Sequence, residues 1–251
     1  MRRAASTRPE PCRALVTGGS GGIGSAISRA LADSGLSVIV HAGSGLERAR
    51  VVANDIVKSG GQAQAVAFDL ADAKATEQAM EELSAGEPIG VVVHNAGRHI
   101  DAPMAGMTAE QWHTAIEINL NAFYRVVQPT LLGMARLRWG RIVAVSSVAA
   151  RLGNRGQANY AAAKAGLHGA VFSLCREMAS RGVTANVVAP GLIDTPMLEE
   201  GADGDRLQQL VPAGRAGTAE EVAALVDFLC SDQAAYINGQ VIGVDGGMAP
   251  G

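Results

Sequence analysis

Tyr160-Ala-Ala-Ala-Lys164, with Ser147 thirteen residues before the tyrosine, is a group of residues able to do acid-base chemistry. On a helix, residues four apart share a face, which puts the Lys164 ammonium one turn from the Tyr160 phenol. A free tyrosine has a pKa of about 10 and is a poor acid-base catalyst near neutrality. A cation within a few ångströms favours the phenolate and draws that pKa toward the working range. Ser147 can hold a carbonyl or hydroxyl oxygen in line with the phenol. The three residues together form a device for moving a proton between a ketone and an alcohol, provided that a hydride comes from elsewhere.

A place for a hydride carrier is legible near the N-terminus. Cys12-Arg-Ala-Leu-Val-Thr17 reads as a short buried strand, and Gly18-Gly-Ser20-Gly-Gly22-Ile23-Gly24 follows it at once. A helical pattern then continues through Ile27, Ala30 and Leu31 to about Gly35. Glycine clusters alone decide little in a chain with 31 glycines among 251 residues. Strand, glycine turn and helix in succession are the setting that marks a dinucleotide site. Gly18 permits the tight turn, while Gly22 and Gly24 let the backbone approach a pyrophosphate at the helix N-terminus, where free N–H groups and the helix dipole favour anions.

These residues need a scaffold, and the pattern supplies one. Strand-like runs recur at 14–16, 37–41, 64–68, 89–94, 141–145, 184–189 and 240–244, with helical patterns near 22–34, 46–58, 73–84, 108–137, 158–180 and 218–230. This alternation predicts an α/β fold: one domain over 12–251 with a doubly wound, Rossmann-type, parallel seven-stranded sheet and helices on both faces. In such sheets ligands bind outside the carboxyl ends of the strands. Gly18–Gly24, Asp69, Asn95–Gly97, Ser147 and Pro190–Thr195 each follow a predicted strand, so all of them converge on one edge. The 191–214 connection is the one long irregular stretch and reads as a substrate lid, with a short helix around 197–210.

Bulk properties narrow the function classes. Hydrophobic content of 48% with 4% aromatic residues points to an Ala/Val/Ile/Leu core, as a covered parallel sheet requires. A net charge of −3 gives no electrostatic reason to expect nucleic acid or an anionic membrane. Cys12, Cys175 and Cys230 are widely spaced, without a disulfide framework or zinc pattern, and read as reduced residues of a cytoplasmic protein. The 1–11 segment carries Arg2, Arg3 and Arg8 without the apolar run of a secretory signal, and reads as a disordered tail. No stretch approaches the ~20 apolar residues of a membrane span. His94, His99, His113 and His168 lack metal-ligand spacing, so structural roles are expected of them and no metal site is predicted.

The motifs Thr17-Gly-Gly-Ser-Gly-Gly-Ile-Gly24, Asn95-Ala96-Gly97, Asn119, Ser147, Tyr160-x-x-x-Lys164 and Pro190-Gly191 resemble, in order and spacing, the short-chain dehydrogenase/reductase family over about residues 12–247. Within it the chain is most similar to the 3-oxoacyl-(acyl-carrier-protein) reductases, through the stretches 153–167 and 181–195. The resemblance implies a catalytic set of Asn119, Ser147, Tyr160 and Lys164. Asn119 would kink its helix and order a water that relays protons toward Lys164; its alternative is a solvent-facing or helix-bending asparagine. Lys164 would also bind the nicotinamide ribose, a task for which an arginine fork is ill suited. Cofactor contacts would come from Gly18, Ser20, Gly22, Ile23 and Gly24, from Asp69 and Leu70 at the adenine, and from Asn95, Ala96 and Gly97 at the adenosine ribose, the last group mainly through backbone. Tyr160, Lys164, Pro190, Gly191, Ile193 and Thr195 would line the nicotinamide end. Asp69 could instead cap the next helix, although Asp72 fits that position better, and Thr195 could cap a helix with Pro196 at its first position.

Preference for NAD normally rests on an acid at the end of the second strand. Here that end reads His41-Ala-Gly-Ser44, which favours NADP(H), with His41, Ser44 and Arg48 available to a 2′-phosphate. Gly21 stands where many of the carrier-protein reductases have an arginine for that purpose. Arg138 and Arg181 match the basic contacts of those reductases with an acidic acyl carrier protein, though both could equally be ordinary surface arginines. The resemblance implies NADPH-dependent reduction of a 3-oxoacyl thioester, in fatty-acid, polyene or polyketide synthesis, by a homotetramer assembled through helices 108–137 and 158–180 and the C-terminal strand. Two alternatives stay open: the same chemistry on a free small alcohol, sugar or cyclic ketone, and a non-catalytic NADP(H)-binding regulatory protein.

Overall fold

The computed structural model describes residues 7–195 and 210–250. Seven parallel strands form one sheet: β1 (Arg13–Thr17), β2 (Ser37–Ala42), β3 (Gln62–Ala67), β4 (Ile89–His94), β5 (Gly140–Val145), β6 (Val183–Pro190) and β7 (Val241–Val244), in the order β3-β2-β1-β4-β5-β6-β7. The order reverses between β1 and β4, and the ends of these two strands carry the first two sequence motifs.

Because side chains alternate across a strand, each strand feeds two cores. Val16, Val38, Val40, Val91 and Val93 face one side, where α1 (Gly22–Asp33), α2 (Leu46–Lys58) and α9 (Ala219–Cys230) bring Ile27, Leu31, Ile56, Val222 and Val226. Leu15, Ile39, Val92 and Ile142 face the other, against α3 (Ala73–Ser84), α5 (Ala122–Val127), α6 (Leu131–Leu137) and α8 (Ala158–Met178), which contribute Met80, Phe123, Met134 and Leu167. The doubly wound sheet expected from the pattern is the one found. Its third strand starts and ends earlier than 64–68, because Gly60 (φ 91°) turns the chain out of α2 directly into pairing with β2.

The 108–137 helix is not continuous. It comprises α4 (Ala109–Ile116), a π-helical turn at Glu117–Asn121, α5, a 3₁₀ turn at Gln128–Thr130 and α6. Pro129 lacks the N–H that a helix interior needs, which accounts for the second break. A further short helix, α7 (Ala149–Leu152), follows Ser147 and escaped the pattern reading. The expected lid helix around 197–210 lies almost wholly outside the described residues. No helix among those residues is long and apolar enough to cross a membrane.

Candidate active site

The glycine turn is built by close packing. Gly18 has φ +63°, and a Cβ on Gly24 would lie 2.1 Å from the Gly18 carbonyl oxygen and 2.7 Å from Asn95 Nδ2. Thr17 Oγ1 accepts from the Asn95 and Ala96 amides at 3.0 Å each, and Asn95 Nδ2 donates to the carbonyls of Thr17 (3.0 Å) and Gly18 (3.2 Å). The Asn95 side chain therefore locks the end of β1 to the end of β4. Its side chain thus has a structural task besides the mainly backbone role expected toward a ribose. Thr17 was read merely as the end of a strand, since nothing local marks its hydroxyl as the hub.

Helix starts differ in how they are capped. α4 and α9 each carry a complete capping box, Thr108 with Gln111 and Thr218 with Glu221, and Asp72 caps α3. α1 begins after Gly21 with no side-chain cap and no acid in its first turn. Its N-terminal dipole is left for an outside anion. Asp72 takes the cap that was weighed for Asp69, whose Oδ1 instead accepts from Ala71 N at 2.9 Å in an exposed turn. Leu70 beside it is buried.

His41 does not serve the role expected of it. The ring is buried, Nδ1 accepts from Gly18 N at 3.1 Å, and Nε2 donates to the Phe68 carbonyl at 2.9 Å. Both nitrogens support the glycine turn, and burial pushes the imidazole pKa down to about 4, so the ring is neutral and cannot offer charge to a phosphate. Ser44 and Arg48 are exposed at the same strand end. The Arg48 guanidinium folds back on Gly45, where a Cβ would lie 2.6 Å from Arg48 Nε, and it is the cation nearest that end of β2 along the chain.

The reacting groups come from β5, α7 and α8. Ser147 Oγ accepts from Ala149 N at 3.1 Å just before α7, which leaves the hydroxyl proton for another partner. Tyr160 sits in the first turn of α8. The neighbouring Asn159 fixes that turn: its Oδ1 accepts from Tyr160 N (2.8 Å), while Nδ2 donates to the carbonyls of Ile100 and Gln111 (3.1 Å each). Lys164 is buried to 2% exposure, its Nζ donates to the Val145 carbonyl at 2.8 Å, and it lies 5.7 Å from the Tyr160 ring centroid. Gly97 is required beside it, since a Cβ there would stand 2.9 Å from Lys164 Nζ and 2.7 Å from Asn119 Oδ1. Ser146 Oγ joins the Lys164 carbonyl (3.1 Å) and His168 Nε2 (2.9 Å) behind the site.

Asn119 falls inside the π-helical turn, fully buried. Its Oδ1 accepts from Arg98 N (3.2 Å), and its Nδ2 donates to the carbonyls of Arg98 and Ala115 (2.8 Å each). The side chain is thus spent on the loop after β4, which it holds under Lys164. The helix distortion follows the expectation, while the solvent-facing alternative is excluded.

The electrostatics revise one further expectation. Burial raises the Tyr160 pKa, the Ser147 hydroxyl opposes the shift as a hydrogen-bond partner, and the Asp101 charge adds to it. Burial also lowers Lys164 to about 8. That shift weakens the ammonium as a stabiliser of the phenolate. The side chains alone therefore hold Tyr160 as a protonated phenol near neutrality, the form needed to deliver a proton to a ketone oxygen.

Pro190 closes β6, and its carbonyl accepts from Val148 N at 2.9 Å, next to Ser147. Gly191 N donates to the Val244 carbonyl (3.0 Å), and buried Ile193 bridges to Gly217. Thr195 is the last residue described before the gap, partly exposed. In the glycine turn Gly22 is exposed and Ser20 and Ile23 are partly exposed. Arg138 and Arg181 lie elsewhere: both precede their strands, β5 and β6, and so occupy the amino edge of the sheet, opposite Tyr160. Both are exposed, and Arg138 Nη2 donates to the Ser180 carbonyl at 3.1 Å. No cluster of metal-ligating residues is present among the described residues.

Comparison with known proteins agrees with this geometry. Residues 18–249 match a family model described as enoyl-(acyl carrier protein) reductase. The chain is 44% identical to the 3-oxoacyl-(acyl-carrier-protein) reductase FabG of Escherichia coli (strain K12), over 94% of this chain and 96% of that protein. It is 42% identical to the 3-oxoacyl-(acyl-carrier-protein) reductase of a Synechocystis species, with 94% and 96% covered. A crystal structure of a 3-oxoacyl (acyl-carrier-protein) reductase from Agrobacterium tumefaciens with NADP bound superposes with a TM-score of 0.90 at 33% identity, covering 94% of this chain and 93% of that one. With the glycine turn, Ser147, Tyr160 and Lys164 gathered on one edge of a doubly wound sheet, the chain belongs to the short-chain dehydrogenase/reductase family.

Proposed function

We propose that the protein is an NADPH-dependent reductase of 3-oxoacyl thioesters carried on an acyl carrier protein, forming the 3-hydroxyacyl thioester for fatty-acid or polyketide-type synthesis in the cytoplasm. The observation that carries the reading is the pairing of Ser147 with a protonated Tyr160 over buried Lys164. Two hydroxyls aimed at one oxygen suit reduction of a carbonyl. They do not suit the carbon–carbon double bond named in the family model's description, which presents no oxygen at the hydride-accepting carbon. The named relatives support the same choice.

The residues fit an NADP(H) cofactor. The uncapped start of α1 and the Cβ-free cradle at Gly24 would receive a pyrophosphate, and Arg48 with Ser44, on an end of β2 that lacks an acid, would receive a 2′-phosphate. Asp69 and Leu70 would meet the adenine, Asn95, Ala96 and Gly97 the adenosine ribose, and Lys164 the nicotinamide ribose. Pro190, Gly191, Ile193 and Thr195 would hold the carboxamide. When bound, the nicotinamide would supply the hydride that C3 of the substrate accepts. Tyr160 gives its phenolic proton to the C3 oxygen as that oxygen becomes negative, and Ser147 donates a hydrogen bond to the same atom. Lys164 holds the phenol's surroundings in register and replenishes its proton, while Asn119 fixes the loop beneath. Net, the ketone gains one hydride and one proton.

Within one chain, Arg138 and Arg181 face away from Tyr160, so a carrier docked on them would have to serve the site of another copy. That ties their proposed role to the homotetramer. Exposed Tyr124 and Leu132 on α5 and α6 and Phe172 on α8 support an interface there. The test is oxidation of NADPH with acetoacetyl thioesters, on carrier protein and on a pantetheine mimic. Faster turnover on the carrier protein is expected. Turnover only of free ketones or alcohols would contradict the reading.

A further inference from the structure

The loop after β4 carries a side chain that the mechanism above does not use. Residues 98–102 are fastened at both ends and in the middle: Asn119 takes the Arg98 backbone, Asn159 takes the Ile100 carbonyl, and Ala102 N donates to the Gly156 carbonyl at 2.9 Å. Gln157 Nε2 holds both oxygens of Asp101, at 3.2 and 3.0 Å. Asp101 Oδ1 in turn meets His99 Nδ1 at 3.0 Å. The His99 ring stands edge-on to Tyr160, with centroids 6.3 Å apart. Its side chain is 44% exposed, and Nε2 has no partner among the described residues. A rigid loop therefore presents an oriented imidazole at the mouth of the site, beside the residue that delivers the proton.

We infer that His99, oriented by Asp101, binds the thioester carbonyl oxygen of the substrate while Ser147 and Tyr160 bind the C3 oxygen. The inference rests on the reading that the substrate is a 3-oxoacyl thioester. Such a substrate carries two carbonyls, on carbons separated by a single methylene, and either could enter the Ser147–Tyr160 pair. Only one of the two arrangements places C3 for reduction. A second donor at a fixed distance gives the thioester oxygen a partner while the C3 oxygen occupies the Ser147–Tyr160 pair, because a buried carbonyl left without a partner is penalised. In its doubly protonated form the ring gives Nδ1–H to the Asp101 carboxylate and donates from Nε2 to that second oxygen. Asp101 sits close enough for its charge to act on the Tyr160 phenol, which places the dyad and the acid in one electrostatic neighbourhood.

The experiment compares wild type, His99→Leu and His99→Gln with NADPH on two acceptors: acetoacetyl-pantetheine thioester and a monoketone of similar length without the thioester carbonyl. The leucine variant is expected to raise KM for the thioester and to lower the ratio of kcat/KM, thioester over monoketone, by about tenfold, the weight of one charge-assisted hydrogen bond. Glutamine, which keeps a donor at similar reach, is expected to recover most of the ratio. Equal losses on both acceptors, or an unchanged ratio in the leucine variant, would overturn the inference while leaving thioester reduction standing. Failure of the wild type on the thioester would overturn both.

Discussion

The two halves of the carboxyl edge are built differently. At the cofactor end, after β1, β2 and β4, polar side chains are consumed by backbone: Thr17, His41 and Asn95 spend their hydrogen bonds on the glycine turn. At the reaction end, Ser147, Tyr160 and His99 each keep a polar atom facing the opening, while buried Asn119, Asn159 and Lys164 hold the backbone behind them. A site that must recognise a constant ligand can be closed-packed and fixed. A site that must exchange protons with a variable substrate needs reactive atoms left over, on a frame that does not move.

That contrast can be strained from the cofactor end first. Gly24→Ala puts a Cβ 2.1 Å from the Gly18 carbonyl oxygen, a backbone atom that cannot swing aside as a side-chain tip could. NADPH affinity should fall by more than about 100-fold and the melting temperature by about 5 °C or more, by titration and calorimetry. Binding within a few fold of wild type would mean that the turn is pliable and the contrast false.

Next in size is a pH effect from two histidines buried neutral at the ends of β2 and β4. Burial lowers His41 to about 4 and His94 to about 3, against 6.5 for free imidazole. Between those values the unfolded chain binds protons that the folded one refuses, so stability is full above about pH 6.5 and falls as pH drops toward 4. Denaturant unfolding at about pH 5 should show a loss on the order of 3 kcal/mol relative to neutrality, and His94→Asn should remove about half of it. A flat profile would contradict the buried-neutral assignment.

Smaller again is Asn119→Ala, which orphans the Arg98 amide and carbonyl in the frame of the reaction end. A loss of about 2 kcal/mol in stability is expected, with kcat reduced more than NADPH affinity. An equal loss of cofactor binding would show the two halves to be coupled. The smallest effect belongs to Arg48→Ala, an exposed cation at the cofactor end. NADPH preference over NADH should drop by about tenfold with NADH turnover retained. No change would assign the 2′-phosphate elsewhere.

The legibility of the sequence follows the same division. The sheet, its two-sided covering and the convergence of motifs were readable, because apolar runs broken by glycine and polar turns have local signatures. Pro129 is a local signature of the break between α5 and α6. The fate of His41 was not readable: its two partners, Gly18 and Phe68, are distant in the chain, and only folding brings them to one ring. The opposite placement of Arg138 and Arg181 could have been inferred, since each precedes a strand and the site follows the strands. The direction of the Tyr160 shift was hidden for a physical reason. Helical spacing brings Lys164 near the phenol, but burial, a property of the whole fold, weakens the cation as a stabiliser of the phenolate.

The most direct test is Tyr160→Phe, assayed for NADPH binding by fluorescence and for reduction of acetoacetyl thioester in single turnover. The account predicts NADPH affinity within a few fold of wild type and a fall in reduction of about 1,000-fold, the weight of a positioned general acid. Reduction within about tenfold of wild type would show that the proton reaches the substrate by another route, and the assignment of Tyr160 as the acid would be wrong.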